Sequence, residues 1–159
     1  MVDQSLKSGR QLDAENIPLH QLFIILELAL KHGLSNKRSL LIGRQKDVWD
    51  LIQHVEKLDS RAVDITDTVR QLSTVNTPPG RVRAWLRLAT MQKKLADYFK
   101  LLVDDKSLIV EFYEPEALMR SDEAVLLCGL LVSLNIVDCN LCLKEEELDG
   151  KMLAHTETH

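Results

Sequence analysis

Two pairs of metal-binding residue types stand at ligand spacing near the carboxyl end of the sequence. Cys139 and Cys142 form a Cys-x-x-Cys pair, and His155 and His159 are spaced as two ligands on one helix face would be. A zinc site takes four ligands, usually as two such pairs, but the only other cysteine is Cys128. We therefore interpret the cysteines as small buried apolar residues and the histidines as part of a polar tail, and we expect no metal and no cofactor.

The patterns of common catalytic sites are also missing from the sequence. It has no Gly-rich phosphate loop, no Gly-x-Gly-x-x-Gly and no nucleophile motif of serine or cysteine. Its acidic runs, Asp104-Asp105 and Glu145–Glu147, join neighbours in sequence, whose carboxylates do not face one another on a helix. We therefore predict that the chain is not an enzyme.

Basic residues are concentrated after the break at Pro78-Pro79-Gly80. Residues 81–100 hold six basic side chains and one acid, in a chain whose net charge is −4. On a helical wheel Arg83, Arg87 and Lys94 fall on one outer strip at i, i+4 and i+11. This strip is either a solvated face or a docking face for an acidic partner, and the local contrast of charge favours docking.

His32 is the histidine best placed for a function. It ends a strongly apolar stretch and precedes Gly33, which is typical of the carboxyl end of a helix. A histidine there either caps the helix or faces a partner.

Helices are predicted to position these residues. The spacing of apolar residues predicts helices over about 19–30, 46–58, 60–72, 80–102, 105–112 and 124–137, with Asn16 and Gly33 bounding the first. The first, fourth and last are so apolar that we expect them to be buried. The fold class is therefore all-α, a single globular domain of six to eight helices over residues 6–150, with frayed tails at 1–5 and 151–159.

Composition excludes several other classes of protein. A pI near 5.7 argues against nucleic-acid binding. The longest apolar run, Ala124 to Val137, is shorter than the roughly 20 residues that cross a bilayer. The first ten residues do not form a signal peptide, and three cysteines without a disulfide pattern favour the reducing cytoplasm.

Several segments together resemble the RUN domain family. The segment Gly80–Arg87 is similar to its "GRxRAWLR" motif, and further matches lie at Leu30–Leu34, Met91–Tyr98, Glu111–Met119 and Asn140–Lys144 with Leu148-Asp149. Within that family the sequence resembles the RUN and FYVE domain-containing proteins. The resemblance covers residues 6–150 and implies an all-helical fold.

The resemblance also implies a function. It implies a non-catalytic effector or adaptor module that binds a GTP-loaded small GTPase of the Rap, Rab or Arf-like groups. Such a module is cytoplasmic and is recruited to endosomal or lysosomal membranes in vesicle trafficking. The GTPase contact is implied at Arg81, Arg83 and His32, to which the helical wheel adds Arg87 and Lys94. The alternative is a helical scaffold that docks a motor, coiled-coil or cytoskeletal protein without GTP.

Overall fold

The computed structural model of the protein describes residues 12–13, 17–36, 43–136, 139–140 and 148–149. Within these residues the chain forms α1 (Ile17–Lys31), α2 (Val48–Gln53), α3 (Val55–Leu58), α4 (Val63–Arg70), α5 (Pro78–Met91), α6 (Leu95–Asp104), α7 (Lys106–Phe112) and α8 (Asp122–Val132). Short 3₁₀-helices lie at Ser60–Ala62, Leu118–Arg120 and Ser133–Ile136. The predicted all-α fold is confirmed.

One short strand pairing accompanies the helices. Strand β1 (Leu12–Asp13) runs parallel to β2 (Cys139–Asn140), with Leu12 opposite Cys139. The sequence did not predict it, because two residues are too few to show the alternation of a strand. Cys139 therefore lies in an extended segment and not on a helix, while Cys142, His155 and His159 lie outside the described residues.

Helix α5 is the centre of the fold. It packs against α1, α2, α4 and α6, and its Trp85, Leu86 and Ala89 are buried. The Thr77 side chain caps its amino end by accepting from the Gly80 N–H at 3.0 Å, and proline occupies the first turn, where no N–H is needed.

The predicted continuous helix over 80–102 is wrong, because the chain turns between α5 and α6. Lys93 adopts a left-handed conformation with φ of 59°. The Lys94 N–H then bonds back to the Ala89 carbonyl at 2.9 Å and the Lys93 N–H to the Thr90 carbonyl at 3.0 Å. This is a Schellman ending with lysine where glycine is usual, so no residue type signals it in the sequence.

The predicted burial of the last apolar helix is also wrong in part. Ala124 and Leu131 of α8 are buried against the core. Its outer side, however, exposes Val125 (58%), Leu126 (68%) and Leu130 (62%). Helix α8 packs mainly on α6, so only one of its sides is covered.

The carboxyl end of α1 is hydrogen-bonded to the segment after α7. The Tyr113 hydroxyl donates to the Leu30 carbonyl at 2.6 Å, and the Glu114 N–H donates to the Gly33 carbonyl at 2.8 Å. Gly33 ends α1 with φ of +73°, as the sequence predicts, and lies directly on Ala117. A Cβ at position 33 would be 2.4 Å from the Ala117 Cβ.

Substitution at Gly33 tests this junction. Gly33→Ala should lower the free energy of unfolding by about 3 kcal/mol, since it adds a clash with Ala117 to the strain of a positive φ. Gly43 is a matched control, because it has φ of +70° and no atom within 4 Å of its would-be Cβ. Gly43→Ala should cost about 1 kcal/mol. The measurement is urea unfolding followed by circular dichroism, and equal costs at the two positions would contradict the close packing.

Candidate functional site: the edge of α1

Arg83 is buried and does not lie on an outer strip. Its guanidinium donates through Nε to Glu27 Oε1 at 2.7 Å and through Nη2 to Glu27 Oε2 at 3.1 Å. A third donation reaches the Leu148 carbonyl. The side chain is only 10% exposed, so the placement from the helical wheel is wrong. The wheel treats one helix alone and cannot show that α1 brings an acid against this position.

Glu27 is the acid that the sequence analysis missed. It lies within an almost wholly apolar stretch, and its side chain is 3% exposed and also accepts from Lys31 Nζ at 2.8 Å. Burial opposes ionisation of this carboxyl, but the hydrogen bonds from Arg83 and Lys31 outweigh it and hold its pKa below the ordinary value. A lone acid among apolar residues of a buried helix was the available signal, since a buried charge requires a partner.

Arg87 lies beside this ion pair at the surface. Its Nη1 donates to the Arg83 carbonyl at 3.0 Å, and its guanidinium stacks over the Phe23 ring at 4.8 Å. Since Arg83 contacts Glu27 and Arg87 contacts Phe23, α1 and α5 run antiparallel. Arg87 is half-buried and follows the edge of α1.

The other two predicted basic residues lie apart from this edge. Arg81 is half-exposed and stands roughly 200° around α5 from Arg83, on the far side of the helix. Lys94 lies beyond the turn that ends α5, at the opposite end of that helix from Arg81, with its Nζ 3.9 Å from Asp97 Oδ2. The five predicted residues therefore do not form one patch.

His32 lies at the carboxyl end of α1, as predicted, and is exposed there. Its Nδ1 accepts a hydrogen bond from the Leu118 N–H at 3.0 Å. This contact fixes the ring and leaves Nε2 as the nitrogen that a partner can bind.

An apolar groove of about 430 Å³ begins beside His32. It is lined by Ile25, Leu28, Ala29, His32, Leu118, Glu123, Leu126, Leu127 and Leu130. The sequence analysis did not find it, because it assigned both apolar helices wholly to the core. Exposed apolar clusters of this kind mark interaction surfaces.

A second missed residue, Asp149, closes the amino end of α5. Its carboxylate accepts from the Asn76 N–H at 3.1 Å, from the Thr77 N–H at 3.3 Å and from the Thr77 hydroxyl. Glycine at position 80 leaves space for this carboxylate, since a Cβ there would be 1.8 Å from Asp149 Oδ1. Desolvation raises the pKa of Asp149, but these donors together lower it below the ordinary value.

Among the described residues, no group of three or more His, Cys, Asp or Glu side chains could hold a metal ion. None of the described helices has the length and apolar character needed to span a membrane.

The fold and the packed motifs place the chain in a known class. The sequence matches the RUN domain family over residues 21–145, and the chain belongs to that family of protein-interaction domains. It is 51% identical over 152 residues to RUN and FYVE domain-containing protein 1 of Homo sapiens, covering 96% of this chain and 21% of that protein.

Two further relatives are similar over the same share of this chain. Protein RUFY3 of Homo sapiens is 47% identical, covering 96% of this chain and 32% of its own length. RUN and FYVE domain-containing protein 2 of Homo sapiens is 46% identical, with 96% and 25% covered. The chain thus spans between 21% and 32% of the length of these relatives.

Removing one member of the buried ion pair should be costly. Arg83→Met leaves Glu27 buried with its charge poorly compensated, and should lower the free energy of unfolding by about 3–5 kcal/mol. The double variant Glu27→Leu with Arg83→Met should recover most of that loss. Arg81→Met, on the other side of α5, should change stability by less than about 0.5 kcal/mol. Urea unfolding of the four proteins measures this, and similar costs for Arg83→Met and Arg81→Met would refute the structural role.

The lowered pKa values of Glu27 and Asp149 predict loss of stability in acid. A carboxyl with a folded pKa below its unfolded pKa stabilises the fold above the unfolded value, and this contribution is lost as pH falls through the folded value. Stability should therefore fall as the pH drops below about 5, where unfolded carboxyls begin to take up protons. Glu27→Gln should be less stable at neutral pH and should lose less over that range. An unchanged acid dependence in Glu27→Gln would show that Glu27 does not contribute.

Proposed function

We propose that this RUN domain binds a GTP-loaded small GTPase of the Rap, Rab or Arf-like groups, with His32 at the centre of the contact. The observation that carries the proposal is the exposed imidazole of His32, whose ring is oriented by the Leu118 N–H. A ring fixed before binding loses little conformational entropy on association, which favours a specific contact. Membership of the RUN domain family supports the same function, since RUN domains are linked to small-GTPase binding.

The basic residues act in different ways in this proposal. Arg87, which follows the edge of α1, contacts acidic groups of the GTPase directly. Arg81 and Lys94 face elsewhere and raise the rate of encounter through long-range attraction. Arg83 acts indirectly. Its guanidinium is already bound to Glu27 and so holds α1 in place against α5.

The cellular role follows from this binding and belongs to the proposal. The domain, over residues 6–150, acts as a cytoplasmic adaptor that reaches endosomal or lysosomal membranes through the membrane-bound GTPase. No nucleic acid, metal or cofactor takes part, and no catalysis is assigned to the chain.

A second candidate function is GTP-independent docking of a helical partner. The apolar groove beside His32 favours it, since such grooves bind amphipathic helices in other proteins.

A binding titration against a panel of Rap, Rab and Arf-like GTPases tests the first proposal. Each GTPase is loaded with a non-hydrolysable GTP analogue or with GDP. We expect binding only to the GTP form of at least one member, and His32→Ala should weaken it about tenfold, or about 1.4 kcal/mol. Arg87→Gln should weaken it several-fold through faster dissociation.

Two control variants separate contact from steering. Arg81→Gln and Lys94→Gln should slow association and reduce the dependence on salt, with dissociation unchanged. Arg83 is unsuitable as a binding probe, since its replacement removes the partner of Glu27. Equal binding of the GTP and GDP forms, or full binding by His32→Ala, would overturn the proposal.

A further inference from the structure

The residues that line the groove between α1 and α8 recur at helical spacing on both walls, so the groove can accommodate one more helix. Its α1 wall presents Ile25, Leu28 and His32 at i, i+3 and i+7. Its α8 wall presents Glu123, Leu126 and Leu130 at the same spacing. Seven residues of helix correspond to about 10 Å, or two turns. A helix of about two turns therefore matches the length of either wall.

The end of the groove at the start of α8 is acidic. Residues 114–123 carry Glu114, Glu116, Asp122 and Glu123 against a single base, Arg120. The Arg120 guanidinium already donates to a backbone carbonyl at 3.2 Å. Glu123 lines the groove chiefly through its aliphatic carbons and holds its carboxylate, hydrogen-bonded to Ser121, at the exposed end, so a segment seated there meets aliphatic walls and a negative end. This environment favours a partner with a basic residue beside its apolar face.

The α8 wall of a second copy does not supply that charge. The stretch from Ala124 to Val137 contains no lysine or arginine. In a two-fold pairing of α8 with itself, the acidic amino end would therefore meet either uncharged residues or the same acids.

We infer that the groove binds an amphipathic α-helix of a partner protein. That helix presents aliphatic side chains at i, i+3 or i+4, and i+7, and a lysine or arginine that pairs with Glu123. The inference rests on the second of the two functions proposed above, names its partner chemistry, and requires no nucleotide.

The probe is a fluorescently labelled synthetic helical peptide with leucine at i, i+3, i+4 and i+7 and one lysine on the same face. Two companion peptides have the same length. One carries glutamate in place of the lysine, and the other has the same composition in an order that destroys the helical period. Fluorescence anisotropy with the whole chain measures the three affinities.

Two exposed positions provide matched protein variants. Leu126, in the groove, and Val110, on α7 outside it, are 68% and 56% exposed, so aspartate at either should leave the fold intact. We expect Leu126→Asp to weaken binding of the lysine peptide at least about tenfold and Val110→Asp to leave it unchanged. Glu123→Lys should reverse the preference, so that the glutamate peptide binds better than the lysine peptide.

Three outcomes would overturn the inference. They are equal binding of the peptide with the destroyed period, full binding by Leu126→Asp, or a dimer of the chain alone that Leu126→Asp dissociates in sedimentation. The titration contains no GTPase and no nucleotide. Its failure would therefore leave the GTPase proposal standing, and a failure of that proposal would leave this result unaffected.

Discussion

The ion pair between Arg83 and Glu27 is the contact on which the arrangement of this domain depends. It places two charges in an interior that is mostly apolar among the described residues. Such a pair adds little stability over apolar packing, but it can be satisfied in only one register of α5 against α1. The third donation, to the Leu148 carbonyl, extends that register to a segment distant in sequence. The position of His32, five residues after Glu27, follows from the same alignment.

Local signals in the sequence predicted which segments form helices, but not which sides of those helices are buried. Gly33 and the apolar run before it predicted where α1 ends, because glycine at a positive φ is a local requirement. The turn at Lys93 was not predicted, since neither glycine nor proline occurs between Arg81 and Leu102 to mark it. Burial of Arg83 and exposure of Leu126 depend on what faces each helix, which a pattern along one helix does not contain.

The difference between local and tertiary signals also separates the two candidate surfaces, which are the basic residues and the apolar groove. The basic residues were conspicuous in the sequence, but the structure distributes them over different sides of α5 and beyond its end, and uses the most buried one for packing. The groove was hidden in the sequence, because its walls belong to two helices about 100 residues apart that both look like core. Recognition by this domain therefore depends on tertiary structure, with His32 in the wall of the apolar groove and the charged edge about 140° away around α1.

The cap on α5 also orders the assembly of the domain in time. The central helix receives the Asp149 carboxylate at its first turn from 72 residues further along the chain. During synthesis that helix leaves the ribosome well before Asp149 does, so its amino end lacks the Asp149 hydrogen bonds until then. Closing so long a loop is also slow, because its entropy is lost before the contacts at its ends are gained. A segment made well after the central helix thus completes the first turn of that helix, and the native packing of its amino end is reached only once that segment has emerged.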